Sequence, residues 1–498
     1  MSQRHKKNEA SDGSALDNEQ MNQISPSKRE FLSRIGLTRR SIARAWAGLI
    51  GQTQFDGFDH LHQDLEGDDV NWIKSQIDSC LNAEGGAASA RTRAAQLGRA
   101  YLGLSDVGKS RFFKLLLDEY GHDRTSIRES AGQILRAKNE QEFVGAHNKM
   151  RMVLSPRRLE LFRQFNSLEE GVKFLVDMRA DLIDLARNDP KLGAISEELK
   201  DLLRSWFDIG FLDLRQITWD APASLLEKLV SYEAVHEIRS WDDLKNRLDS
   251  DRRCYAFFHP NMPSEPLIFV EVALVNGIAE NIHELLDEEA PAVDANAADT
   301  AIFYSISNAQ SGLAGVAFGD FLIKRVVNVL SHELPNLKHF ATLSPIPGFR
   351  RWLEKAIKGP PPLLDAKDAQ SIGELAGGSD PAAAMLQILD QEDWREEEAA
   401  VEILKPILLR LCARYLSNDN GTTNEMQRAR DPVEHFHLTN GARVERLNWG
   451  ADFSKNGLQQ SAGMMVNYQY RLNDIEVNHE RYKDGGAIAT SSVVKALA

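Results

Sequence analysis

The chain has 498 residues, enough for about two or three domains and a sizeable core. Its 42% hydrophobic and 27% charged content is that of an ordinary globular protein, and no apolar run approaches the roughly eighteen residues a membrane span needs. A net charge of −14 argues against general affinity for nucleic acid, and Cys80, Cys254 and Cys412 are too scattered for a zinc site or disulfide framework, which fits a reducing cytoplasm.

Residues 1–37 are polar and lack the apolar stretch of a secretory signal. Glu9, Asp12 and Asp17 argue against a transit peptide, so this segment is expected to be a disordered tail. From about Arg39 to Phe207 apolar residues recur every three or four positions, as in Ser41–Ile50, Arg111–Tyr120, Leu159–Phe165 and Gly171–Leu185. The spacing predicts a bundle of roughly eight helices. Gly103-Leu-Ser-Asp-Val-Gly108-Lys109-Ser110 formally matches the phosphate-loop pattern GxxxxGK[ST]. Such a loop needs a buried strand before it, whereas the alanine-rich stretch Arg91–Leu102 reads as helix. The expectation is a turn between helices, with Ser105 or Asp106 as cap.

The texture changes at about Asp208. Strand-like runs appear at Tyr255–Phe258, Leu267–Val270 and Val272–Val275, with Pro260, Pro263 and Pro266 between the first two. Glu284–Thr300, acidic and alanine-rich, reads as an exposed loop with a helical start. Thr300–Ser307 is a further buried strand, followed by a glycine-rich turn from Asn308 to Asp320 and a helix with Ile323, Val327, Leu330 and Leu334 on one face. Strand, glycine turn and helix can aim free N–H groups at a phosphate, although such turns more often serve packing alone. Lys324, Arg325, Arg350, Arg351 and Lys355 are cations near this segment; each is either part of an anion site or a solvated surface charge. Gly359–Pro362 reads as a stiff linker, residues 363–416 as mainly helical and 417–430 as a loop. His435–Leu447 is predicted to be a hairpin turning at Asn440-Gly441, which would put His435 and His437 on one strand face. A two-histidine metal site is the alternative use of that face, without a nearby cysteine or well-spaced acid to support it. Met464–Arg471 reads as another strand, and the tail after Asp484 as frayed.

Several blocks carry a resemblance. Phe303–Ser307, Gln310 with Gly312-Leu313 and Gly315-Val316, Phe321–Val327, Leu343-Ser-Pro-Ile-Pro-Gly-Phe349 and Phe436-His-Leu-Thr-Asn-Gly-Ala442 resemble the malonyl-CoA decarboxylase family, in order, from about Arg158 to Tyr470. The resemblance implies an α+β protein: a tail over 1–37, a helical bundle over 38–206 used for oligomerisation, and a GNAT-like mixed α/β catalytic domain over 207–498 that binds acyl-CoA. It implies conversion of malonyl-CoA to acetyl-CoA and carbon dioxide through an enolate that is reprotonated at C2. The thioester accepts the electrons itself, so no metal and no cofactor is expected beyond the coenzyme A carried by the substrate.

The family's catalytic serine and histidine fall on Ser344 and His437. A histidine has the right intrinsic pKa to deliver a proton near neutrality, and Ser344 would bind the departing carboxylate or relay a proton. His435 and Tyr470 are the rival acids. By the same resemblance, coenzyme A would lie against Gln310, Gly312, Ala314, Gly315, Val316, Ala317, Phe318, Gly319 and Asp320, with Tyr470 near the reaction. Ala317 departs from animal members, which carry glutamate there. The chain ends Ala496-Leu-Ala498 rather than in a peroxisomal Ser-Lys-Leu, so the expectation is a bacterial cytoplasmic enzyme, tetrameric like its family, with no nucleic-acid or membrane partner. The competing readings are a GNAT-type acyltransferase with an amine acceptor, and a non-catalytic acyl-CoA-binding assembly protein.

Overall fold

A computed structural model describes residues 61–498 apart from 84–85, 317–318, 361, 378–379, 392, 418–428 and 486–487. The predicted tail, the helix over 41–50 and most of the loop over 417–430 lie outside the described residues.

The first described part is helical, as the apolar spacing predicts. Eight α-helices follow one another: α1 Asp69–Leu81, α2 Ala87–Leu102, α3 Asp106–Glu119, α4 Arg124–Arg136, α5 Glu140–Val153, α6 Arg157–Asn166, α7 Gly171–Asn188 and α8 Gly193–Trp206. An aromatic cluster joins α2, α3, α6 and α7. Tyr101 meets Phe112, Phe113 and Phe174 edge-on at 5.2, 5.8 and 5.7 Å between ring centres. The formal phosphate loop is the turn between α2 and α3, where the Ser105 hydroxyl accepts from the Gly108 amide. Lys109, the residue that would hold phosphates, is buried and paired with Asp181 at 2.8 Å. Helices α4 and α5 pack on each other and bury little besides Ser130 and Ala146. They leave Leu135, Phe143, Val144, Met152 and Leu154 exposed.

The second part is built on a mixed, eight-stranded sheet. Strands β1 Asp213–Ile217, β2 Arg252–His259, β3 Met262–Val275 and β4 Thr300–Asn308 form an antiparallel meander. Between β1 and β4 the chain forms α9 Ala223–Tyr232, α10 Trp241–Arg247 and the short α11 Ile282–Leu285. The two apolar runs predicted as separate strands at 267–270 and 272–275 are one strand. Glu271, the charge that divides them, is buried in mid-strand against Arg247. Helix α12, Gly319–Glu333, then crosses over to β5, His339–Thr342, which lies parallel to β4.

The remaining elements close the sheet. They are β6 Ser344–Pro345, α13 Phe349–Ala356, α14 Ala366–Ala376, α15 Pro381–Leu389, α16 Glu398–Leu416, α17 Pro432–Thr439, β7 Arg443–Asn448, α18 Lys455–Ser461, β8 Met465–Gln469, α19 Ile475–Lys483 and α20 Ser492–Leu497. Strand β8 lies between β5 and β6 and also pairs with β7.

Two further local predictions are overturned: the tail after Asp484 is not frayed but carries α20 with Val494 buried, and the hairpin at 435–447 does not form. Residues 432–439 are helix α17, not the first arm of a hairpin. Asp431 caps it, accepting from the amides of Val433 and Glu434, and Pro432 supplies the preset first turn. Asn440-Gly441 ends the helix: Gly441 has φ +83°, and a Cβ there would lie 2.2 Å from the Ile475 carbonyl oxygen. The dipeptide that favours a two-residue hairpin turn serves equally as a helix stop.

Strands β4 and β5 stay paired only from Thr300/His339 to Phe303/Thr342. Beyond that β4 runs on to Asn308, while the other chain turns off through Pro345 and Pro347, which have no N–H for a ladder. The split between them holds the candidate site.

Candidate active site

A cavity of about 520 Å³ opens in that split. Phe303, Tyr304, Ile306 and Asn308 of β4 line one side; Ser344, Pro345, Pro347 and Arg351 line the other; Phe436 and His437 of α17 close it. Among the described lining residues Arg351 and Asp452 carry the only full charges. A second cavity of about 820 Å³ shares the wall formed by Ala234–His236, Asp452 and Asn456.

Ser344 and His437, 93 positions apart, meet here with Ser344 Oγ 3.1 Å from His437 Nε2. Ser344 is placed by β6, its hydroxyl donating to Thr342 Oγ1 at 2.8 Å. Thr342 Oγ1 in turn accepts from the Tyr468 amide at 3.1 Å. On its other side the His437 ring has Nδ1 2.7 Å from the Tyr470 hydroxyl. Because the Ser344 proton is committed to Thr342, its oxygen is left to accept from Nε2–H. Nδ1 is then the acceptor for Tyr470. The result is a directed chain: Tyr470 to His437 to Ser344 to Thr342. The His437 ring also stacks on Tyr468, with ring centres 4.6 Å apart and planes at 26°.

Electrostatics correct the expected state of the histidine. His437 sits in the last turn of α17, where the helix dipole favours a cation by about 0.3–2 kcal/mol. Burial acts the other way and pushes its pKa down to about 3. That fall from the ordinary 6.5 corresponds to roughly 5 kcal/mol, so desolvation wins. The ring is neutral at pH 7 and is not an imidazolium held ready near neutrality.

The two histidines do not share a face. Two positions apart on a helix they are turned about 200° from each other. His435 instead has Nδ1 2.7 Å from the Tyr482 hydroxyl. Among the described residues no group of three histidine, cysteine or acidic side chains is placed to hold a metal.

The glycine turn stands apart from the cavity. Gln310 is buried with Nε2 donating to the Pro266 carbonyl at 3.0 Å. A Cβ at Gly312 would come 1.8 Å from the Val176 carbonyl oxygen of α7, so this glycine is required for packing against the helical part. Arg179 donates to the carbonyls of Gly312 and Ala314 at 2.6 and 2.9 Å. Gly315 is exposed with φ +76°, beside Lys200, and Val316 is buried. Ala317 and Phe318 lie outside the described residues; Gly319 and Asp320 begin α12. None of 310–316 lines the cavity with Ser344. Of the neighbouring cations Arg351 reaches it, while Lys324 pairs with Glu476 and Arg350 with Asp390.

Sequence reasoning missed Thr342, Tyr468 and Asp431. The first two matter through strand pairing, which leaves no local trace. Asp431 had one: Asp-Pro before an apolar stretch is a helix-start signal.

Comparisons with known proteins identify the family of the chain. The family model described as the malonyl-CoA decarboxylase C-terminal domain matches residues 210–498, and that of the N-terminal domain matches 120–207. The chain is 38% identical over 411 residues to the mitochondrial malonyl-CoA decarboxylase of Anser anser anser, covering 79% of this chain and 80% of that one. It is 36% identical over 430 residues to that of Rattus norvegicus, covering 83% of each. A crystal structure of malonyl-CoA decarboxylase from Rhodopseudomonas palustris superposes with a TM-score of 0.77 at 40% identity, over 86% of this chain and 99% of that one. One from Agrobacterium vitis gives 0.76 at 39%, over 85% and 99%.

Proposed function

The chain belongs to the malonyl-CoA decarboxylase family, and from that premise we propose that it converts malonyl-CoA to acetyl-CoA and carbon dioxide. The observation that carries the assignment of residues is the Ser344–His437 hydrogen bond on the wall of the cavity. When the carboxylate leaves, the electrons of the broken carbon–carbon bond pass into the thioester and place negative charge on its oxygen. Hydroxyl and N–H donors already oriented in a desolvated site stabilise that charge, each by about 3–4 kcal/mol. Ser344 and His437 become those donors when they exchange their hydrogen bonds to Thr342 and to each other for the substrate oxygen. The enolate carbon is a far stronger base than a neutral hydroxyl or imidazole, so it takes its proton from this chain without an imidazolium. Tyr470 donates to Nδ1 on the other side of the ring, and the proton passed to C2 is restored to the chain from water. The thioester is the electron sink, so this route calls for no metal or further cofactor.

Arg351 is the cation the cavity offers to an anionic substrate. We place the coenzyme A pyrophosphate toward Ala314–Asp320 and the start of α12, where Lys200 lies beside Gly315. Residues 38–206 would serve assembly into a homo-oligomer, a tetramer by analogy with the family. The apolar side chains exposed on α4 and α5 suit that use. Among the described residues no helix is long and apolar enough to cross a membrane. The three buried free thiols suit a reducing compartment, the cytoplasm by our reading, although the curated relatives are mitochondrial.

The test is turnover of malonyl-CoA by the purified chain, following acetyl-CoA and carbon dioxide together. Ser344→Ala and His437→Ala should each lower kcat by about 10²–10⁴-fold in folded protein. Acetyl transfer to an amine without carbon dioxide release would replace this reading with the acyltransferase. Coenzyme A binding without turnover would replace it with a binding protein.

A further inference from the structure

We infer that Asp431 is the positioning residue that holds Ser344 and His437 at hydrogen-bonding distance, by tying the loop that follows one to the helix that carries the other. This rests on the reading of Ser344 and His437 as the reacting pair. Asp431 is fully buried. Its Oδ1 accepts from the amides of Val433 and Glu434, at 2.9 and 3.4 Å, and so fixes the first turn of α17. Its Oδ2 accepts from the Gly348 amide at 3.0 Å and from the Tyr415 hydroxyl at 3.2 Å. Gly348 closes the Ser344-Pro-Ile-Pro-Gly segment, in which Pro345 and Pro347 have no N–H to give. The segment therefore has few backbone ties to the sheet, and one of its three remaining amides is spent on Asp431. A Cβ at position 348 would stand 2.1 Å from the Tyr415 hydroxyl oxygen, so only glycine lets the carboxylate and phenol come up against this backbone.

The charge sharpens the argument. Burial raises the Asp431 pKa to about 6, against the pull of its hydrogen bonds from Gly348, Val433, Glu434 and Tyr415. Its folded-state value lies above the unfolded one, so keeping it ionised at pH 7 costs stability. An asparagine would cap α17 without that cost. What asparagine lacks is a second acceptor, since its Nδ2 faces the Gly348 N–H donor to donor. The gain from aspartate is the tie to the Ser344 loop.

The experiment compares Asp431→Asn with wild type, Ser344→Ala and His437→Ala in the full chain. Asp431→Asn should keep its fold by circular dichroism and keep KM for malonyl-CoA within about twofold, while kcat falls about 10- to 100-fold, the scale of a misplacement near 1 Å. Gly348→Ala, whose Cβ would stand 2.1 Å from the Tyr415 hydroxyl oxygen, moves the loop while leaving the Asp431 cap of α17 in place, and should lower kcat in the same way. It also decides the matter if Asp431→Asn does not fold. The proposal is overturned if kcat per folded molecule stays within twofold of wild type while Ser344→Ala and His437→Ala lose turnover. A loss explained by a smaller folded fraction, or carried equally by KM, also overturns it. Turnover that survives Ser344→Ala and His437→Ala sinks the underlying reading instead.

Discussion

Two buried polar networks stand beside the cavity, and they are built on opposite principles. Around Arg247 the network is ionic and saturated. Its Nε donates to Asp243 at 2.7 Å, Nη1 to Glu271 at 3.1 Å and to the His236 carbonyl at 2.9 Å, and Nη2 to Asp243 at 3.3 Å and to the Glu237 carbonyl at 3.2 Å. Every N–H of the guanidinium is used. Around His437 the network is neutral, and its two central members line the cavity. A saturated ion cluster can only support; here it holds the 234–236 wall shared by both cavities. A neutral chain whose Ser344 and His437 line the cavity can exchange its internal hydrogen bonds for ones to whatever enters. Burial alone does not separate structural from chemical polar groups, but net charge together with a place on the cavity wall does.

The comparison breaks first under a crossed pair of substitutions. Arg247→Met leaves Asp243 and Glu271 buried without their counter-ion and should cost about 3–5 kcal/mol in urea unfolding, with kcat of the folded fraction changed little. Ser344→Ala should do the reverse, costing about 1 kcal/mol or less while turnover collapses. Equal effects on both readouts for both variants would erase the distinction. A smaller effect is expected for Tyr470→Phe. The ring stays in place and only the hydroxyl donor to Nδ1 is lost, so kcat should fall about tenfold with little change in KM, by the usual worth of one aligned donor.

The smallest effect is a predicted absence in the ligand-free protein. The His437 pKa is depressed by burial to about 3, so the ring should show no titration between pH 5 and 8 by NMR. In sign, a depressed histidine lends stability in full above about 6.5, and that stability is lost as pH falls toward 3. Glu271 runs the other way. Burial raises it to about 7, with Arg247 pulling it down and Glu233 pushing it up, so its protonation stabilises the fold as pH drops through 7. A His437 resonance that titrates near 6.5 would mean that the two networks are equally wet.

Much of this could be read from the sequence, for identifiable reasons. The helices from α1 to α8 announce themselves by apolar spacing, and Ser105 caps α3 as its position implies. Ser344 is legible only through family resemblance, since a Ser-Pro pair by itself reads as a turn. His437 was found through family resemblance, while its local structure was misread: Asn440-Gly441 fits two kinds of turn, and only contact with Ile475 selects the helix stop. Gln310 and Gly312 show a similar limit. A glycine needed for close approach looks the same whether a ligand or the Val176 carbonyl approaches. The neutrality of His437 was illegible because it depends on what surrounds the ring, Tyr468 above all, and those neighbours come from strands distant in sequence.

The placement of β8 sets an order on the making of the molecule. Strands β5 and β6 are consecutive in the chain, yet the strand that fills the space between them comes far later. Asn467 of β8 donates to the Thr342 carbonyl from 125 positions downstream. At ordinary elongation rates of about 5–20 residues per second, the nascent chain spends roughly 6–25 seconds with that slot open. During this interval Ser344 is synthesised but has neither His437, Tyr470 nor the Tyr468 amide to organise it. Open strand edges of this kind invite pairing with other chains. The growing polypeptide therefore carries an open edge able to pair with other chains before it acquires any catalytic competence.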